Sequence, residues 1–450
     1  MTTLLTPVEV GKATLITTAT AFFALFLVNP IGMFINRRLH SWVETGLLRQ
    51  YFHLFCGYLI LVAVVSYVLI WSILQSRLWD VSISPFWCAT LIAGSLFFNT
   101  INQTLVPSMN MLDKKRPFVV LTIATLTFGL IASVTLVEWL GSNAIAWLTG
   151  PILSQMGFSV IAYRIFFHEG AVTSRRVQGT DYRNLFNFAW PISIAVGLNW
   201  LHMQGYRFLL AERFGLAELG LFAAGYGVAF SLTNASESIT TTWFQPRFYR
   251  ESNSKDAAVR AQAWSRYATT MLPFTFLASS GIFMTAPYIS TIMLGPSYNT
   301  AVSYVMMGAL AEWGRSLCNI FALDAHASMQ TRRLIVPGLI GMAITYMVMI
   351  VPIGMKTLIG VPVAVLIGAV VMSASIYLSA AKSKTHSIID WLKVSYGGLV
   401  TIVVSLVFEL CKQFLFPTLG GEELYVALFV ALALWGSVFF HLLRHIERPV

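Results

Sequence analysis

Arg207, Glu237, Glu312 and Arg315 lie inside stretches that are otherwise apolar. A charge at the centre of a bilayer costs about 2.5 to 3.5 kcal/mol on insertion scales, so such residues face a bundle interior, a partner or water rather than lipid. Helical spacing gathers polar neighbours around each of them. Glu312, Arg315, Ser316 and Asn319 fall on one helix face; Ser231, Asn234, Glu237, Ser238 and Thr241 fall on another; Trp200, Gln204 and Arg207 share a third. Ser95, Asn99, Asn102 and Gln103 make a fourth stripe that carries no charge.

Two chemistries suit these residue types. Guanidinium groups bind anions through forked hydrogen bonds, and a carboxylate in a membrane helix can carry a proton or a sodium ion. On that reading Arg207 and Arg315, with Gln204, Asn102 and Asn319, bind substrate, while Glu237 and Glu312 couple to an ion. The structural alternatives are that Arg207, within a turn of its helix end, snorkels to the surface, that Glu312 and Arg315 pair with each other at i, i+3, and that amides and hydroxyls tie helices together at about 0.6 kcal/mol per contact. Glu237 has no cationic partner nearby in sequence, which makes it the better coupling candidate. No phosphate loop, H-E-x-x-H or nucleophile elbow is present. The histidines form no cluster at ligand spacing, and Cys56, Cys88, Cys318 and Cys411 fall in four different apolar stretches with no metal or disulfide pattern. These signals argue against an enzyme and imply neither a metal nor a cofactor.

The elements that must position these residues are transmembrane helices. The 450-residue chain is 57% hydrophobic and only 11% charged, whereas an ordinary soluble domain has about 25% charged residues. Thirteen apolar stretches are long enough to span, at about 20 residues each: 13–35, 53–74, 86–111, 118–137, 144–167, 187–210, 219–243, 268–292, 300–325, 334–354, 358–380, 394–416 and 423–443. Basic residues concentrate in every second loop, at Arg37 and Arg38, Lys114 to Arg116, Arg175 and Arg176, Arg247 to Arg266, Arg332 and Arg333, Lys382 to Lys393, and Arg444 and Arg448. By the positive-inside rule these loops and the C-terminus are cytoplasmic. The net charge of +10 is therefore topology and not a nucleic-acid footprint.

The chain also repeats. Leu5 to Gly11 (LTPVEVG) and Leu216 to Gly220 (LAELG) each precede a span that ends in basic residues, and they lie 209 residues apart; Asn102 and Asn319 each lie thirteen residues before a basic residue, Lys115 and Arg332. This predicts an N-lobe at 1–167, a cytoplasmic linker at 168–186, a C-lobe of six helices at 187–380 and two additional helices at 381–450. The first half has no counterpart of the span 187–210, so the pattern implies one helix upstream of Met1.

The sequence resembles the polysaccharide-transporter branch of the multidrug/oligosaccharidyl-lipid/polysaccharide exporter superfamily, the Wzx-type flippases of O-antigen and exopolysaccharide units. LAELGLFAAGYGVA at Leu216 to Ala229, Pro246, and APYISTIMLGPSYNTA at Ala286 to Ala301 carry the likeness, the last through Leu294, Gly295 and Tyr298. The resemblance implies an all-α, two-lobed bundle with fourteen helices in the family and thirteen here, in a bacterial inner membrane. It also implies transfer of undecaprenyl-diphosphate-linked oligosaccharide to the periplasmic leaflet by alternating access, with membrane lipids and polysaccharide polymerase machinery as partners. Cavity cations that hold the diphosphate would correspond to Arg207 and Arg315. An ion-coupled drug antiporter of the same superfamily is the first alternative, and a membrane glycan polymerase or ligase the second. Polymerases and ligases commonly carry a long catalytic loop outside the membrane, and this sequence has none.

Overall fold

Inside lipid every backbone N–H and C=O must be satisfied within its own segment, which leaves long apolar stretches the helix as their spanning form. The computed structural model describes residues 1–76, 84–167, 179–252, 256–327, 330–350, 358–381, 389–415 and 422–446, and the described elements are helical. They run α1 (Pro7–Phe23), α2 (Asn29–Glu44), α3 (Leu48–Gln75), α4 (Pro85–Met111), α5 (Lys115–Leu140), α6 (Ala144–Phe167), α7 (Gly179–Trp200), α8 (Tyr206–Ser252), α9 (Ala257–Met293), α10 (Val302–Ala327), α11 (Ile335–Ile350), α12 (Gly360–Ala381), α13 (Trp391–Leu415) and α14 (Glu422–Ile446). One π turn, Ala24–Val28, joins α1 to α2, and a second, Leu201–Gly205, joins α7 to α8. Most of the expected linker, 168–178, lies outside the described residues.

Among the described residues ten helical segments are long and apolar enough to cross a membrane, and the chain is a multi-pass membrane protein. Two causes separate these ten from the thirteen expected spans. The single segment Phe188–Ser252 contains two expected spans, parted at Gly215, whose φ of 85° and ψ of 170° break the helix in the left-handed half of backbone space that glycine adopts without a Cβ clash. Helices α4 and α10 fall outside the ten. Both carry polar stripes, through Asn99 and Asn102 in α4 and through Glu312 and Arg315 in α10.

The helices form two compact units. The first comprises Met1, residues 3–200 and residues 207–220. Within it α4 packs on α1, α3 and α6, and α5 packs on α6. Helix α7, which the sequence reading gives to the C-lobe, packs here against α1, α2 and the first π turn. The Phe22 ring lies 5.0 Å from the Trp200 ring, and a Cβ on Gly197 would come within 2.8 Å of Phe26. Gly11 and Gly220, matched by the 209-residue repeat, make a reciprocal contact in this unit. A Cβ on Gly11 would lie 2.1 Å from the Leu216 carbonyl oxygen, and one on Gly220 would lie 1.8 Å from that of Pro7. Pro7 and Leu216 are themselves 209 residues apart. Glu9, between them, accepts from the Ala144 amide at the start of α6 and pairs with Lys12.

The second unit comprises Thr2, residues 201–206 and residues 221–450. In it α10 packs on α9 and α12, α11 packs on α12, and α13 and α14 pack on α9. The pairings of α10 with α9 and α12, and of α11 with α12, repeat those of α4 with α3 and α6, and of α5 with α6, in the first unit. Tyr298, in the short 3-10 turn Pro296–Ala301, is fully buried, and burial pushes its phenol pKa up to about 12.

Candidate functional site

Helix α10 turns Glu312 and Arg315 toward one side because they are three residues apart, and α8 does the same for Phe230, Asn234 and Glu237 at i, i+4 and i+7. Within the second unit the two faces meet at Arg315. Its Nε donates to Glu312 Oε2, while Nη2 donates to Glu237 Oε2 at 2.8 Å and to Asn234 Oδ1 at 2.9 Å. The guanidinium carbon stands 5.7 Å from the centre of the Phe230 ring, at cation–π distance. The Glu312 side chain is 2% exposed, and those of Arg315 and Glu237 are 17% exposed.

Glu237 has no cationic partner nearby in sequence, but it has one in space. That partner lies 78 residues further along the chain, beyond the reach of any local spacing argument. Phe230 and Asn234 complete the shell. Asn234 belongs to a stripe visible in the sequence, and Phe230 is one turn before it. One guanidinium set against two carboxylates leaves the cluster with a formal charge of −1 when both acids are ionised.

A cavity of about 350 Å³ opens beside the cluster. Its polar wall includes Glu237, Thr233, Ser236, Thr240, Thr275 and Ser316, and its apolar wall includes Phe274, Leu432 and Trp435. The Thr233 and Ser316 hydroxyl oxygens are buried and have no hydrogen-bond partner among the described residues. A buried hydroxyl without a partner costs free energy, and these two lie in the wall of the cavity.

The remaining residues singled out in the sequence are distributed elsewhere. Arg207 belongs to the first unit, where its Nη1 donates to Thr18 Oγ1 at 3.3 Å and its buried Nε has no partner among the described residues. The expected stripe Trp200, Gln204, Arg207 does not stay together. The π turn Leu201–Gly205 inserts a residue into the helical repeat and rotates the helix beyond it, so Gln204 packs with the second unit, and Trp200 and Arg207 with the first. Asn102 is buried on α4, and its Nδ2 has no partner among the described residues, whereas Asn99 accepts from Gln155 Nε2 across to α6. Asn319 is exposed and makes no hydrogen bond among the described residues. His202, which the sequence reading passed over, is fully buried in the second π turn; its Nδ1 lies 2.8 Å from Thr345 Oγ1 and its Nε2 has no partner among the described residues. Its position two residues from Trp200 and from Gln204 was the available signal.

Among the described residues the chain is an all-helical membrane protein with repeated helix pairings and a buried ionic cluster. Solved structures share its fold. The lipid II flippase MurJ in an inward closed conformation aligns with a TM-score of 0.64 at 11% identity, over 98% of this chain and 98% of that one. An inward-facing multidrug resistance MATE family transporter of the MOP superfamily aligns at 0.59 and 11%, over 83% and 88%. The eukaryotic MATE transporter AtDTX14 aligns at 0.56 and 14%, over 87% and 88%. Among curated proteins no sequence matches. Residues 1–303 match the family described as polysaccharide biosynthesis protein, and the chain belongs to that family.

Proposed function

We propose that this protein is a flippase that carries an undecaprenyl-diphosphate-linked oligosaccharide, a repeat unit of O-antigen, exopolysaccharide or capsule, from the cytoplasmic to the periplasmic leaflet of a bacterial inner membrane. The observation that carries this reading is the ionic cluster on α8 and α10. Arg315 is a forked cation of the kind that recognises phosphate oxygens, and two carboxylates that could yield it now occupy it. Uptake of a proton or sodium ion by Glu237 or Glu312, beside the unpartnered hydroxyls of Thr233 and Ser316, weakens the hold on Arg315 and frees its fork for a diphosphate. Release of the cation on the other side restores the ion pairs and expels the headgroup. On this reading Arg207, in the first unit, and Gln204, Asn102 and Asn319 are further substrate-binding residues.

Membership in a polysaccharide biosynthesis family supports the substrate class, and the likeness to MurJ supports a transporter fold that can serve lipid-linked cargo. The loop charges support a cytoplasmic C-terminus. The unit would reach polymerisation machinery after export. The test is Arg315→Ala in the native host. Surface glycan should disappear while lipid-linked oligosaccharide accumulates on the cytoplasmic leaflet and the protein remains in the membrane. Full surface glycan at normal protein level would end the assignment.

A further inference from the structure

At the end of the first unit remote from its polar stripes, α4 stops and α5 begins through a tight turn. Asp113 closes α4 with a φ of 59°, and the Lys114 amide reaches back to the Met109 carbonyl. The turn brings Lys114, Lys115 and Arg116 together with Arg164, from the last turn of α6, around a surface depression of about 730 Å³; Asp113, Pro117 and Ile165 complete its rim. Lys115, Arg116 and Arg164 are exposed and have no ion pair among the described residues. The start of α5 carries no side-chain cap, so its first N–H groups add positive potential on the same side.

A second feature adjoins the first. Going into the membrane from this rim, α5 exposes Val119, Val120, Ile123 and Leu126, at 47 to 69% of their surface, and α6 exposes Val160 and Ile161. A cationic hollow at the end of two membrane helices, continuous with an apolar face, has the chemistry of a phospholipid turned headgroup outward and chains inward.

We propose that this hollow is a binding site for an anionic phospholipid of the leaflet to which the basic loops point, and that a headgroup with two phosphates fills it better than one with a single phosphate. It lies in the first unit, apart from the Arg315 cluster, and does not depend on the flippase reading. Each basic residue near an anionic membrane surface is worth on the order of fivefold in affinity, so removing three should weaken binding on the order of 100-fold.

The full-length protein, purified in detergent, would be titrated with cardiolipin, phosphatidylglycerol and phosphatidylcholine and the bound lipid counted by native mass spectrometry. Cardiolipin should bind most tightly and phosphatidylcholine least. Lys115→Gln/Arg116→Gln/Arg164→Gln should lose the cardiolipin preference, whereas Arg247→Gln/Arg250→Gln/Arg260→Gln, basic residues of the second unit, should keep it. Retention of folding in both variants is read from their melting curves. Equal loss in both variants, or undiminished cardiolipin binding in the first, would overturn the site. Sodium pyrophosphate is titrated alone in parallel; a bound anion with no cardiolipin effect would assign the hollow to a soluble anion and overturn the lipid assignment.

Discussion

Arg315→Met removes the cation that lies between two carboxylates and keeps most of the side-chain volume. Glu312, 2% exposed, and Glu237, 17% exposed, would then be left without a counter-charge, and Asn234 without its donor. Breaking a buried pair from one side costs about 3 to 5 kcal/mol because the surviving charge stays desolvated. In a protein of this size that corresponds to a fall in Tm on the order of 5 °C. The neutral combination Arg315→Met/Glu237→Gln/Glu312→Gln removes every charge together. Replacing a whole buried ionic group by uncharged residues is often neutral or stabilising, so this variant should melt within about 2 °C of the native protein. Both variants should fail to export glycan, because neither has the forked cation. Melting followed by tryptophan fluorescence in detergent gives the stability arm, and surface glycan in a strain lacking the native gene gives the functional arm. A single variant as stable as the native protein would refute the energetic reasoning. A neutral variant that exports normally would refute the role of the cluster.

Arg315→Lys should also lose export, since an ammonium cannot satisfy Glu312, Glu237 and Asn234 through one planar fork; it should retain more stability than Arg315→Met in the same melting assay. Gly220→Ala places a Cβ against the Pro7 carbonyl, a backbone atom that cannot swing aside, and should cost about 1 to 3 kcal/mol or more, read as reduced folded yield on size-exclusion chromatography. Gly11→Ala, the matched position, should give the same defect. Glu9→Ala removes the acceptor of the Ala144 amide at the start of α6 and should lower stability by about 1 to 2 kcal/mol in thermal unfolding, with Glu9→Asp intermediate. Thr345→Val keeps its volume but removes the hydroxyl that meets His202 Nδ1 and should cost about 1 kcal/mol, with no comparable loss for Thr291→Val, whose hydroxyl is exposed and bonds within its own helix.

Much of the fold is legible along the chain because its causes are local. A bilayer demands apolar segments of a minimum length, so span positions follow from hydropathy, and the two helices that fall below the apolar threshold, α4 and α10, are those whose polar stripes the spacing displays. The 209-residue offset between Pro7–Gly11 and Leu216–Gly220 reappears as a reciprocal glycine contact, since each glycine admits the other's backbone. Glu312 and Arg315 pair as their separation of three residues permits. Less of the candidate site was legible. Arg315 meets Glu237 and Asn234 across 78 and 81 residues, and sequence spacing says nothing about which helix lies opposite which.

By itself the sequence determined that the chain is a helical, multi-pass membrane protein, because length and hydropathy are properties of a segment and its solvent. It also marked which ionisable residues needed a reason to be where they are. Tertiary structure alone decided their company. It turned Glu237 from an isolated carboxylate into a ligand of Arg315, divided Trp200, Gln204 and Arg207 between two units through a five-residue π turn, and set α7 against α1 and α2. Each of these outcomes depends on helix rotation and packing, and a buried charge settles on whatever partner that packing brings within hydrogen-bond reach.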